Sequence, residues 1–218
     1  MHFLEGGVYQ KWHSSVAEFT RTGDLLGPMT RFARVAPAGL HRHSGLSFGN
    51  AFRGNLFSAQ FNPHRIQRHI LKRSGATFTS EDSDFLVSTD PDFHPTDVLE
   101  APDGSLIVID TGGWYIDQCP LSRISRPEHR GGVYRIRKKG ATKVSDPLGT
   151  FLDWKDISLN AFANLLTDNR PKVRARVLEH IVKMDEAIVP PLAALIANPR
   201  IKVAAKCRAV WALHRQDS

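Results

Sequence analysis

The spacing of apolar residues changes once along the chain. Up to about Gly140, short runs of aliphatic and aromatic residues alternate with Gly, Pro, Asn and Asp, which is the pattern of short strands joined by turns. After Ser158 the apolar residues recur at helical spacing. We therefore expect a β domain over residues 1–140, a linker over 141–157 and a helical domain over 158–218.

The β half repeats a unit of an inner, a middle and an outer strand. The two copies occupy residues 37–40, 54–59 and 65–68, and then 95–98, 104–109 and 133–136. Residues 6–9 nearly copy residues 131–134, so the remnant of a further unit begins the chain. Repeats of about 40–60 residues with several strands each are typical of β-propeller blades. This half is predicted to be all-β, about two propeller blades and a remnant.

The helical half also repeats. A set of positions recurs thirty residues on, pairing Leu165, Leu166, Lys172, Val173 and Ala175 with Leu195, Ile196, Lys202, Val203 and Ala205. Pro171 and Pro199 lie near helix starts, where a missing N–H costs little. The pattern predicts a HEAT-like solenoid segment, made of helix pairs stacked in a row.

Both halves fall short of the usual number of repeats. Propellers usually close with 4–8 blades and solenoids usually need about three repeats with capped ends. We therefore expect the chain to be a fragment of a larger protein. The alternative is a chain complete in itself, folded as a small open sheet with helices.

Composition narrows the class of protein without naming a function. The formal charge of +7 is spread along the chain, and no basic run with interleaved aromatics indicates nucleic-acid binding. Residues 1–10 do not resemble a signal peptide, and no run of 18 apolar residues predicts a membrane span. Cys119 and Cys207 match neither a zinc nor a haem attachment spacing, so both are expected to be unpaired thiols.

Several motifs resemble one family. They are APAGL at residues 36–40, FRGNLF at 52–57, FHPTDVLE at 93–100, PDGSL at 102–106, DTGGW at 110–114, CP at 119–120 and GVYRI at 132–136. With the helical repeats that follow, this order resembles the membrane-bound dehydrogenases of planctomycete type. Those are similar to the soluble quinoprotein glucose and sorbosone dehydrogenases, which are six-bladed propellers that use pyrroloquinoline quinone (PQQ) and calcium.

The resemblance implies an oxidoreductase that acts on a sugar or polyol outside the cytoplasm, in the periplasm. Family members typically carry a c-type cytochrome beyond the solenoid, and this chain has no CxxCH haem site. The resemblance therefore implies that haem belongs to a missing downstream domain, and that the missing blades and that cytochrome domain are partners of this chain.

Candidate site residues lie between residues 93 and 114, where the second blade departs from the first. His94 is the candidate general base, since histidine exchanges protons near neutral pH, and Asp97 is the candidate catalytic residue beside it. Asp97 and Asp110 are candidate calcium ligands, and Trp114 is a candidate for stacking on a sugar or quinone. The alternatives are structural: a histidine that locks a sheet edge, an aspartate that accepts turn amides, and an aromatic that covers the propeller rim.

The leading hypothesis is a fragment of a PQQ-type sugar or polyol dehydrogenase, inactive as an isolated chain. The alternative is a non-enzymatic scaffold in which propeller and helical repeats bind other proteins. For the helical surface, an acidic protein partner and plain solubility are equal candidates, given the charges of Arg170, Lys172, Arg174, Arg176, Lys202, Lys206 and Arg208.

Overall fold

The computed structural model describes residues 7–9, 18, 20, 23–33, 35–113, 126, 128–155 and 157–215. Within this part of the chain the strands are β1 (Val8–Tyr9), β2 (Leu25–Leu26), β3 (Pro37–Arg42), β4 (Leu56–Gln60), β5 (Arg65–Ser74), β6 (Thr77–Val87), β7 (Pro95–Glu100), β8 (Leu106–Gly112) and β9 (Arg130–Ile136). The α-helices are α1 (Leu159–Asn164), α2 (Pro171–Ile181), α3 (Val189–Ala197) and α4 (Val203–His214). Short 3-10 helices cover Asn50–Phe52, Leu165–Thr167 and Glu186–Ile188.

The chain divides into two compact units whose segments interleave. The sheet unit is formed by Met1–His43, Gly54–Leu99 and Ile107–Arg135, and the helical unit is formed by Ser44–Arg53, Glu100–Leu106 and Ile136–Ser218. The expected division into residues 1–140, 141–157 and 158–218 stays a prediction.

A four-stranded sheet in the order β3-β4-β5-β6 dominates the sheet unit. Its strands are antiparallel, and Ala59 pairs with Ile66 across β4 and β5. Because side chains alternate between the two faces of a strand, Phe57, Ala59 and Ile66 share one face, and all three are fully buried. Phe85 packs edge-on against Phe57 with ring centroids 4.9 Å apart. Burial of this apolar face holds the sheet together.

A three-stranded sheet in the order β7-β8-β9 lies mostly in the same unit. The turn between β7 and β8 is tied by the amide of Ala101, which donates to the Ser105 carbonyl at 2.8 Å. Along β8, buried and half-buried positions alternate, so Leu106 and Val108 face inward together with Asp110. The sheet thereby places a buried carboxylate near the end of β8.

The helical unit has one apolar core. Its buried members are Ala163, Leu166, Val173, Val177, Ile181, Ile188, Leu192, Leu195, Ala209 and Ala212. Residues from all four α-helices and two 3-10 helices meet in this cluster. Full burial of each large aliphatic side chain contributes about 1.5–3 kcal/mol, so the shared core accounts for how such short helices stay folded.

The predicted strands are confirmed, but the prediction of a β-propeller is wrong. The predicted inner, middle and outer strands of each unit do pair in order, as β3-β4-β5 and β7-β8-β9. The described residues nevertheless form small sheets of two, four and three strands, with no closed propeller. The sequence also did not predict β6, a fourth strand whose sequence TFTSEDSDFLV is polar and mostly exposed, so it carries no apolar pattern.

The prediction of a HEAT-like solenoid is also wrong. Among the described residues the helices converge on a single core instead of repeating a stacked pair. The thirty-residue repeat does not place equivalent residues in equivalent surroundings: Val173 is fully buried, whereas Val203 is 74% exposed. The sequence repeat therefore reflects two helices that begin alike and pack differently.

Candidate functional site

The candidate site is built around His94, which directly precedes β7. Nδ1 of His94 lies 2.8 Å from the main-chain oxygen of Gly112, at the end of β8. The His94 carbonyl accepts hydrogen bonds from the amide and the hydroxyl of Thr111, at 3.1 and 3.2 Å. Since a carbonyl only accepts, Nδ1 of His94 carries the proton, and in the neutral imidazole the lone pair lies on Nε2. The fold therefore fixes both the ring and its tautomer.

Two aromatic rings restrain the imidazole of His94. Phe61 stacks on it with centroids 4.4 Å apart and planes 27° apart, and His64 contacts it nearly edge-on at 5.0 Å. His64 has a φ of +54°, an uncommon conformation for a residue with a side chain, and its Nδ1 bonds the Phe93 carbonyl at 2.7 Å. A turn residue is thus held in a strained conformation beside His94.

Asp110 accepts hydrogen bonds from the backbone around His94. Its Oδ1 lies 2.7 Å from the amide nitrogen of His94 and 2.8 Å from that of Gly112. Gly112 has a φ of +67°, and a Cβ there would lie 2.4 Å from the His129 carbonyl oxygen, so only glycine fits. Asp110 therefore joins the start of β7 to the end of β8.

Asp97 lies elsewhere on β7 and packs against Gly39 of β3. A Cβ added to Gly39 would lie 2.0 Å from Oδ1 of Asp97 and 2.6 Å from its Cα, so the two strands approach closely at this point. Oδ1 of Asp97 also accepts from the amide of Val98 at 2.8 Å. The structure brings His94 and Asp110 together and gives Asp97 a different set of contacts.

The described residues do not fit a calcium site. Calcium takes six to eight oxygen ligands, and no group of three or more His, Cys, Asp or Glu in the described part of the chain is placed to hold a metal. Trp114, the candidate stacking residue, and Cys119 lie outside the described residues. Cys207 is described, and it is an exposed free thiol.

A second polar network, missed in the sequence, crosses the four-stranded sheet. Oγ of Ser58 lies 2.8 Å from Nε2 of His69, and Nδ1 of His69 lies 2.8 Å from Oδ1 of Asp82. The hydroxyl of Thr30 donates to the other oxygen of Asp82 at 2.6 Å. These contacts have the order of a serine, histidine and aspartate catalytic triad.

Burial argues against catalysis by this network. Ser58 is 5% exposed and His69 is 3% exposed, and the ring of Phe32 lies 5.4 Å from that of His69. A nucleophile must be exposed to its substrate, and this serine hydroxyl is almost completely buried. The network therefore serves to satisfy polar groups on a buried sheet face and to join β4, β5 and β6.

One feature of the sequence points to this network once the strands are paired. Polar residues alternate on three consecutive strands, as Ser58 with Gln60, Gln67 with His69, and Asp82 with Asp84. Residues two apart on a strand share a face, so three such strands side by side predict a polar face. Gln60 and Gln67 extend the network through a hydrogen bond of 2.7 Å.

The network lowers the pKa of Asp82. Burial raises the pKa of this carboxyl, but hydrogen bonds from Thr30 and His69 and the charge of His69 outweigh burial. The pKa of Asp82 therefore lies below its ordinary value, and the carboxylate stays ionised at neutral pH.

The helical unit contains a buried arginine. Arg174 is 7% exposed, and its NH1 donates to the carbonyl of Asp168 at 2.6 Å. Arg208 similarly donates to the carbonyl of Leu166 at 2.7 Å. Burial, together with repulsion from Arg208 and Arg53, lowers the pKa of Arg174 to about 10. Arg174 and Arg208 therefore satisfy main-chain oxygens at the end of a 3-10 helix.

Small, mostly antiparallel sheets with a restrained histidine and a helical unit with its own core define an α-plus-β protein of two compact units. The chain belongs to the family defined by a domain of unknown function, DUF7133, whose model matches residues 9–140. No curated protein and no solved structure matches the chain. Among the described residues, no helix has the length and apolar character needed to cross a membrane.

Proposed function

We propose that the chain belongs to a dehydrogenase that oxidises a sugar or polyol, with His94 as the group that accepts the hydroxyl proton. The observation that carries this proposal is the hydrogen bond from Nδ1 of His94 to the Gly112 carbonyl. It holds the imidazole in the tautomer whose Nε2 is basic, which is the form a general base requires. The motif resemblance of residues 93–114 to quinoprotein-like dehydrogenases supports the choice of substrate class.

In the proposed step, the O–H bond of the substrate breaks and the proton passes to Nε2 of His94. The electron pair stays on the substrate oxygen, and the positive charge that forms on the imidazole is delocalised over a ring stacked on Phe61. The C–H bond of the carbon that bears this oxygen breaks as well, and the resemblance implies that a quinone would accept the hydride. An extracytoplasmic location belongs to the same proposal.

The variant that tests this role is His94→Asn. An asparagine amide can reproduce the N–H donor at the position of Nδ1, so the bond to Gly112 is kept while the basic nitrogen is lost. In the full-length gene product that carries this chain, we expect oxidation of the best sugar or polyol in a dye-linked assay, with PQQ and calcium supplied, to fall by about 10²–10⁴-fold. The thermal midpoint should change little.

His180→Asn is the matched control. Nδ1 of His180 also bonds a main-chain carbonyl, that of Arg176 at 2.8 Å, but this histidine lies in the helical unit. Its variant should keep full activity. Activity of His94→Asn within threefold of the wild type would contradict the role of His94, and a full-length gene product inactive on every substrate would contradict the dehydrogenase.

A second candidate, a protein-binding role without catalysis, is favoured by helix α4. Val203, Val210 and Trp211 are 74, 53 and 62% exposed, and their spacing places them along one side of the helix. Lys202 and Lys206 lie near this apolar stripe and favour an acidic protein partner. The two candidates separate in the same assay, because a binding protein oxidises no substrate.

A further inference from the structure

A partly open cleft in the helical unit has an excess of positive charge. It has a volume of about 410 Å³ and is lined by residues that include Ser47, Asp103, Ser105, Arg137, Lys138 and Lys143. These residues come from three segments of the unit, and we name the site the cationic cleft. Pockets for small ligands typically begin at about 300 Å³, so the volume suits a small organic molecule better than a bare inorganic ion.

The charges on the cleft walls do not cancel. Three cationic side chains face one carboxylate, that of Asp103, and NH2 of Arg137 lies 3.6 Å from it. Nζ of Lys138 donates to the Phe48 carbonyl at 3.4 Å, which uses one of the three N–H groups of an ammonium. The cleft therefore has an excess of two formal positive charges and N–H donors to spare, which is the complement of a dianion.

The hydroxyl groups of the cleft restrict the ligand further. The Ser105 hydroxyl donates to Oδ1 of Asp103 at 2.5 Å, and the Ser47 hydroxyl donates to the Gly104 carbonyl. A serine hydroxyl has one proton, and Ser105 is only 2% exposed, so it is the oxygen of Ser47 that can accept from a ligand. A ligand that satisfies this oxygen must bring its own O–H or N–H donor as well as its negative charge.

We propose that the cationic cleft binds a small phosphate monoester that carries hydroxyl groups, the chemistry of a sugar phosphate. Lys138 and Lys143 contact the phosphate, and Ser47 accepts from a sugar hydroxyl. This site lies in the helical unit and its ligand is distinct from the substrate proposed for His94, so the proposal does not depend on that function.

Calorimetric titration of the 218-residue chain with glucose 6-phosphate at low ionic strength tests the site. Glucose and inorganic phosphate serve as partial probes. We expect glucose 6-phosphate to bind at least tenfold more tightly than either probe, because only it supplies both charge and hydroxyls. Lys138→Met and Lys143→Met should each weaken binding about tenfold, as expected for loss of a charge-assisted hydrogen bond.

Lys183→Met is the matched control, since it removes the same charge from an exposed lysine of the same unit outside the cleft. It should change the affinity less than twofold. Equal weakening by all three variants would reduce the effect to net charge and overturn the proposal, as would absence of binding at millimolar glucose 6-phosphate. Lysine acetylation of the wild type provides a readout that needs no variant: the ligand should protect Lys138 and Lys143 and leave Lys183 reactive. Equal reactivity with and without ligand would overturn the proposal.

Discussion

Nδ1 of His69 lies 2.8 Å from Oδ1 of Asp82, and this hydrogen bond joins the two longest strands of the four-stranded sheet, β5 and β6. On its other side the same imidazole bonds Ser58 of β4. One histidine therefore connects three adjacent strands on a polar face that is buried at Ser58 and His69. The stability of the sheet unit depends on a charged carboxylate at the end of this chain of contacts.

We expect the contribution of Asp82 to stability to disappear in acid. The pKa of this carboxyl in the folded chain lies below its ordinary value. Its stabilisation is therefore complete above the unfolded pKa of about 4 and is lost as the pH falls through the lower folded pKa. Asp82→Asn should destabilise the chain by about 1 kcal/mol at pH 7, and the difference in thermal midpoint from the wild type should narrow by pH 2.5.

Glu81→Gln is the control for that comparison. Glu81 lies next to Asp82 on β6 and forms an ion pair with Lys72. Both side chains are exposed, and exposed ion pairs contribute little to stability. Its thermal midpoint should follow that of the wild type at both pH values. A gap between wild type and Asp82→Asn that is equally wide at pH 2.5 and pH 7 would contradict the proposed ionisation.

The sequence predicted the strands better than it predicted how they assemble. Strands β3 to β5 and β7 to β9 were found because their apolar runs are bounded by turn residues. Strand β6 was missed because most of its side chains are exposed, so it has no apolar periodicity. The number of repeats needed to close a propeller is a property of the whole assembly, and two similar local units do not determine it.

The sequence predicted the residues around His94 but not the network around His69, for a related reason. His94 and Asp110 lie in one hairpin, where the local sequence determines which residues come close together. Ser58, His69 and Asp82 are separated by 11 and 13 positions, and only the register of three paired strands brings their side chains onto one face. A polar residue in a strand does not reveal its partner until that register is known.

Asp110 is expected to act as an acceptor of backbone hydrogen bonds. Asp110→Ala leaves the amides of His94 and Gly112 without this acceptor and should lower the free energy of unfolding by about 2–4 kcal/mol. Asp110→Asn keeps an oxygen in place and should cost about 1 kcal/mol or less. Urea denaturation of both variants measures the difference, and amide exchange at His94 and Gly112 should accelerate only in the alanine variant.

A calcium ligand would behave differently at this position. Loss of the carboxylate charge would then remove a calcium-dependent gain in stability from both variants alike. We expect millimolar calcium to leave the thermal midpoints of the wild type and of Asp110→Asn equally unchanged. A rise in the wild type that is absent in both variants would contradict the structural role of Asp110.

The final prediction concerns the two valines that the sequence repeat treats as equivalent. Val173 is fully buried in the core of the helical unit, and Val203 is 74% exposed at the start of α4. Val173→Ala removes two buried methyl groups and leaves a cavity, so it should lower the free energy of unfolding by about 2 kcal/mol. Val203→Ala should change it by less than about 0.5 kcal/mol. Urea denaturation of the two variants decides between the single core and a repeating solenoid. In stacked repeats both valines would pack against neighbouring helices, so both substitutions would lower the free energy of unfolding by similar amounts.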